Sequence, residues 1–126
     1  MLYVGHAFGV TYVFMEECIM STAPMPQVLN LLEMAGYQDG AIVSRQITKA
    51  DAGNVTLFAF DKDQGLSEHT APFDALVYIL EGEALATISG KPFDLKNGDA
   101  IIMPANEPHA LKAVQRFKML LTMIRA

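Results

Sequence analysis

The chain has 126 residues, of which 52% are apolar and 18% charged, with a formal net charge of −5, one cysteine and no tryptophan. That length is one domain, the apolar share excludes a wholly disordered chain, and a single cysteine excludes an internal disulfide or a four-cysteine metal cage. An acidic balance without a basic run argues against nucleic acid as a partner. The charge is uneven: residues 1–44 hold four acidic residues (Glu16, Glu17, Glu33 and Asp39) and no Lys or Arg, whereas the remainder has nine basic and ten acidic groups.

Residues 2–15 are mostly apolar but fall short of the roughly 20 residues a membrane-spanning helix needs, and no basic segment precedes them as in a secretory signal. Tyr3, Val4, Val10, Tyr12, Val13 and Phe14 favour a strand. Glu16, Glu17 and the breaker-rich Ser21-Thr-Ala-Pro-Met-Pro follow. Three readings stand side by side: an extra strand pairing with the body or a second copy, a leader ahead of a true start at Met20 or Met25, and a membrane-associated segment. Residues 1–25 are thus an extension, and 26–126 one folded domain. Cys18, within the extension, reads as a small buried hydrophobe rather than a nucleophile.

The one helix expected is short and lies near Gln27–Met34. From residue 40 the pattern changes to short β-rich runs: Ala41–Ile47, Val55–Phe60, Ala75–Leu80, Ala84–Ile88, Phe93–Leu95, Ala100–Met103, His109–Val114 and Phe117–Ile124. Most end at Gly, Asn or Pro, and runs of this spacing predict an all-β sandwich or small barrel. In the last run Lys118 is expected to face water, which puts Phe117, Met119, Leu121 and Met123 on the inner face. Two methionines there give a soft lining or ordinary core packing.

Two stretches carry a resemblance. His69-Thr-Ala-Pro-Phe-Asp-Ala-Leu-Val-Tyr-Ile-Leu-Glu-Gly82 follows the end of the pattern G-x5-H-x-H-x3-4-E-x6-G, and Gly98-Asp-Ala-Ile-Ile-Met-Pro104-Ala-Asn106-Glu-Pro-His109 follows G-x5-P-x-G-x2-H-x3-N. Fifteen residues, 83–97, separate them. The region resembles the cupin superfamily, in particular small single-domain bacterial cupins of the RmlC-like type. The resemblance implies a small double-stranded β-helix (jelly-roll) barrel with a short N-terminal extension. Gly82 and Gly98 then end strands at turns, and Asn106 replaces a motif glycine at a position where Asn tolerates left-handed backbone.

Metal-binding cupins hold their ion with three histidines and a glutamate. Carried over position by position, the first histidine is His69 and the last is His109, but the second histidine and the glutamate fall on Ala71 and Ala75, and the leading glycine falls on Asp63. A shifted register makes His69 the second histidine, puts Ser67 in place of the first, and offers Asp74 as an extra carboxylate. Period two turns Asp74 away from the face of Ala75, Val77 and Ile79, although Pro72 interrupts the alternation nearby. Glu68 is expected to face opposite to His69, and Tyr78 outward. His69 and His109 are therefore read as a reduced two-histidine site for one divalent transition metal (Fe, Mn, Ni, Cu or Zn), as hydrogen-bonding or general-base groups without metal, or as residues satisfied by neighbours.

A ligand pocket is expected to be lined by Leu57, Ala75, Val77, Ile79, Leu111, Met119 and Leu121. The first functional reading is a barrel that binds a small molecule, with or without metal. The resemblance also admits a metal-dependent dioxygenase or isomerase, or a metal-free sugar epimerase. A homodimer is expected from the family, with no nucleic acid or membrane partner. No signal or lipidation motif is visible, which leads to the expectation of a cytoplasmic protein. Neither a G-x-S-x-G elbow, a phosphate loop, H-E-x-x-H nor C-x-x-C occurs.

Overall fold

The structure is a computed structural model and describes residues 2–7, 10–15 and 26–126. Strands β1 (Leu2–Ala7) and β2 (Val10–Met15) precede a single helical turn, α1 (Leu31–Met34). The body follows as β3 (Ala41–Ala50), β4 (Gly53–Phe60), β5 (Gly65–His69), β6 (Phe73–Glu81), β7 (Glu83–Ile88), β8 (Lys91–Lys96), β9 (Ala100–Met103), β10 (His109–Ala113) and β11 (Phe117–Arg125). They form a seven-stranded sheet ordered β1-β2-β3-β4-β11-β6-β9 and a four-stranded sheet ordered β5-β10-β7-β8. Every pairing is antiparallel except that of β2 with β3. The fold is the expected jelly-roll. The expected helix shrinks to one turn, and β5 is a strand that the hydrophobic pattern does not show. Glu16, Glu17, Cys18, Met20 and Met25 lie outside the described residues. No helix among the described residues is long and apolar enough to cross a membrane.

Alternation sorts the strands into faces. In β6, Ala75, Val77 and Ile79 are buried, while Leu76 and Tyr78 are exposed. The buried set meets Ala84, Ala86, Ile88, Leu95, Leu111 and Ala113 of the smaller sheet, together with Ile42, Phe60, Met103, Phe117 and Met119, in one core between the sheets. Two turns make the closely spaced strands fit together. Ser89 and Gly90 (φ +49° and +82°) join β7 to β8 in a two-residue hairpin with positive φ at both central positions, which matches the twist of the flanking strands. Gly82 (φ +92°) joins β6 to β7 where a Cβ would lie 1.9 Å from the Arg116 carbonyl oxygen, so a side chain is excluded twice over.

A second cluster lies on the outer face of the larger sheet. Ala35, with Met34 and Tyr37 packed against it, covers Val43, Leu57 and Ala59. Leu57 therefore does not line the interior: it alternates with Phe58 and Phe60, which belong to the inner core, and packs under the segment that precedes β3. Lys118 also departs from expectation. It is 8% exposed, with its Nζ donating to the Leu32 carbonyl and lying 5.1 Å from the Tyr37 ring centroid. The covering segment supplies the oxygen and the π-face that make this burial affordable. Phe117, Met119, Leu121 and Met123 do face inward. Beyond the segment's reach, Leu76, Tyr78, Ile102 and Ile124 stay exposed on β6, β9 and β11.

Polar ties anchor the segment at both ends. Tyr37 donates its hydroxyl to Glu81 at 2.6 Å, and burial pushes its pKa up. Arg116 bonds Asp61 and Asp39 at 2.7 Å each, and the Gly40 N–H reaches the other Asp61 oxygen at 2.6 Å. The Gly40 N–H first, and Arg116 second, hold the Asp61 carboxyl down at about 2.

Two outcomes follow from this packing. Phe117 stacks on Phe60 with ring centroids 4.4 Å apart in a fully buried position. Phe117→Ala should cost about 3–5 kcal/mol in urea unfolding, whereas the exposed Ile102→Ala should change stability by under about 1 kcal/mol. Because the folded Asp61 pKa lies below the unfolded value of about 3.9, its contribution is complete above pH 4 and is lost as pH falls towards about 2. Asp61→Asn should flatten that part of the acid limb in a stability–pH profile; an unchanged limb would remove the role assigned to this carboxylate.

Candidate functional site

His69 ends β5 and His109 begins β10, and the two are cross-strand partners. Direct partners share a face. Whether that face is the inner one depends on β5. His109 pairs with His69, but Leu111 pairs with Leu66, so two residues of β5, Ser67 and Glu68, stand opposite Ala110 alone. This is a β-bulge. In a regular strand Leu66 and His69 would point to opposite sides. The extra residue restores His69 to the side of Leu66, which packs against the inner core, and leaves Ser67 and Glu68 both exposed.

The rings of His69 and His109 meet edge to face, with centroids 4.4 Å apart and planes at 69°. His109 is 6% exposed and His69 half-buried. Each Nδ1 meets the carbonyl oxygen two residues upstream: Ser67 at 2.8 Å for His69, and Glu107 at 3.0 Å for His109. A carbonyl oxygen only accepts, so each Nδ1 carries a proton. Burial pushes the His109 pKa below its ordinary value and the neighbouring His69 lowers it further, while the Glu107 carbonyl works the other way.

The register places the pair at one end of the barrel. Across the smaller sheet one row reads His69, His109, Ile88, Lys91, and the next Leu66, Leu111, Ala86, Phe93. In the larger sheet the row at this end reads Met103, Ala75, Met123, Asn54, followed by Ile101, Val77, Leu121, Thr56. The connections after His69 and before His109 are tied together at this rim. Asn106, at φ +65°, donates its N–H to the Ala71 carbonyl at 2.8 Å, and the Ala105 N–H donates to Asp74 at 2.9 Å. Asn106 thus takes the left-handed conformation expected where it replaces a glycine. The Phe60–Phe117 stack fills the far end.

Of the expected pocket residues, Ala75, Val77, Ile79, Leu111 and Met119 belong to the inner core, Leu121 packs against it, and Leu57 lies outside. The structure does not bring Asp74 to the histidines: it is exposed, on the opposite pleat from Ala75, and serves as acceptor for the rim loop. Tyr78 is 40% exposed on the same outer pleat. Sequence reasoning missed Met103 and Ile88, which flank the site. The Ala100–Met103 run contains the signal for Met103, and Ile88 follows from the hairpin that ends at Gly90.

The metal that this architecture implies has a poor donor set here. A protein-held catalytic ion normally has three ligands or more. Two imidazole nitrogens are present, Ala71 and Ala75 offer no lone pair, and among the described residues no group of three His, Cys, Asp or Glu could hold a metal. The residues do not fit a metal centre built by the protein alone.

Two sheets closed into a jelly-roll, with a histidine pair inside one end, define a double-stranded β-helix barrel. The family model described as Cupin domain matches residues 56–124, and the chain belongs to that family. A conserved protein of unknown function from Streptococcus pyogenes is 34% identical and superposes with a TM-score of 0.77 over 84% of this chain and 93% of its own. A cupin 2 conserved barrel domain protein from Leptotrichia buccalis is 41% identical, with a TM-score of 0.75, over 77% of this chain and 47% of its own. An uncharacterised protein of Methanocaldococcus jannaschii is 37% identical over 41 residues, so this chain spans about a third (33%) of that relative's length.

The bulge makes the geometry testable. Deleting Glu68 should regularise β5 and turn His69 outward, so contacts between the two imidazole rings, read by NMR as cross-ring nuclear Overhauser effects, should vanish while the His109 tautomer stays. Persistence of the ring contacts would show that the facing of His69 is set elsewhere.

Proposed function

We propose that this cupin barrel binds a small molecule at its histidine-bearing end, with His69 and His109 holding the polar part of the ligand and the inner apolar face holding the rest. The observation that carries this reading is the edge-to-face contact of the two rings on the inner face. Their Nδ1 sides are pinned to the backbone, so the rings are oriented before any ligand arrives, which reduces the ordering cost of binding. Around them Ile88, Ala75 and Met103 are buried apolar groups, and Met123 adds a flexible, polarisable side chain. A concave apolar surface with a few placed polar atoms is the general form of a small-molecule site.

Alanine at both other family ligand positions supports binding without a resident ion, because it puts methyl groups where two donors would stand. Metal analysis of protein purified without added metal, alongside the His69→Ala, His109→Ala double variant, tests this. The expected result is no near-stoichiometric transition metal in either protein. Stoichiometric Fe, Mn, Ni, Cu or Zn that disappears in the double variant would replace this reading by a metal enzyme.

A further inference from the structure

The two outer faces of the barrel differ in chemistry. On the smaller sheet the outward pleat carries Lys112 on β10, Thr87 on β7 and Asp94 on β8, with Ser67 and Glu68 exposed on β5. A sheet with one buried face normally shows water a polar face of this kind. The outward pleat of the larger sheet does not. Across β9, β6 and β11 one row reads Ala100, Tyr78, Leu120 and the next Ile102, Leu76, Thr122. In the row beyond, Asp74 pairs with Ile124. Asp74 is the one charged side chain in these three rows, and it already accepts the Ala105 N–H at 2.9 Å. The segment before β3 packs on this sheet as far as Leu80 and Leu120.

Ile102 and Ile124 keep 62% and 59% of their surface exposed, and Leu76 and Tyr78 keep 41% and 40%. Those four residues together expose about 400 Å², and two such faces joined with their neighbours remove about 1,000 Å² from water, the size at which a specific interface begins. We propose that a second copy of this chain covers the face, sheet against sheet, across a two-fold axis running along β6. Pleated sheets stack with their side chains interdigitating, and a two-fold contact needs only one self-complementary patch. The patch meets that need. An axis along β6 sets Leu76 beside its own counterpart and brings Ile102 of one copy over Thr122 of the other, a tall side chain over a short one. These rows hold no lysine or arginine, the groups that draw an apolar surface onto an anionic membrane. The same stretches of β6 and β9 carry Ala75 and Met103 on the inner pleat, so the second copy backs one wall of the histidine-bearing end.

Sedimentation velocity of the full chain at about 100 µM should show a dimer. Leu76→Lys puts a charge at the centre of the contact, on a residue the monomer leaves exposed. It should raise the dissociation constant about thirtyfold or more with unchanged circular dichroism. Lys112→Glu, on the outer face of the smaller sheet, should leave the dimer intact. Cys18 is the chain's one cysteine, so Leu76→Cys in a Cys18→Ser background should be joined into a covalent dimer by a short bis-maleimide. That readout stands even if the lysine variant fails to fold. A dimer that survives Leu76→Lys, or one that does not cross-link at position 76, would overturn the proposal and move the contact elsewhere. A monomer at this concentration would also overturn it, and a monomer that binds phosphatidylcholine–phosphatidylglycerol vesicles would reassign the face to a lipid surface.

Discussion

In an antiparallel strand pair, each inserted residue reverses the facing of everything beyond it. β5 contains one such insertion, at Ser67–Glu68, and the site depends on it. Upstream, Leu66 must point inward to complete the core. Downstream, His69 must point inward to meet His109. Those two requirements lie three residues apart, an odd spacing that a regular strand cannot satisfy. The bulge reconciles them at the edge of the smaller sheet, where an unpaired residue disturbs only one neighbour. It also places the Ser67 carbonyl where it holds the His69 Nδ1, so one backbone irregularity both aims the ring and sets its tautomer.

The end of the barrel opposite the histidines is closed by packing. The Phe60–Phe117 stack occupies the far end, and Gly82 lets the β6–β7 turn approach the Arg116–Phe117 backbone without a side chain between them. On the outer face the segment from Leu32 to Gly40 covers Leu57 and Ala59 and supplies partners for Lys118, Glu81 and Asp61.

The strands were legible where alternation was strong. β6 buries every second residue from Ala75 to Ile79, and the turn glycines Gly82 and Gly90 mark the ends of runs. β5 was not legible because Gly65-Leu-Ser-Glu-His has one apolar residue in five and its bulge destroys period two. Lys118 misled in the opposite way. A lysine within an apolar run reads as solvent-facing, yet here a segment about 80 residues earlier in the chain provides its acceptor, a relation that no local pattern contains. Leu57 was misassigned because Leu57 and Ala59 on one pleat and Phe58 and Phe60 on the other are all apolar, so that strand has two buried faces and its parity is ambiguous. The histidine pair was placed by family resemblance, since 40 positions separate the two residues in the chain.

The two alanines give the pair its present chemistry. With a histidine and a carboxylate in their places, four donors would converge, and an ion would balance both their lone pairs and their charge. Alanine removes the negative group that would favour an ion and the third donor that would hold one. His109 is buried in an environment that disfavours its charged form. The carbonyl bonds at Nδ1 prevent the rings from exchanging acceptor for donor without breaking a bond each. Loss of two donors thus leaves a pair of imidazoles whose orientation is set by backbone carbonyls.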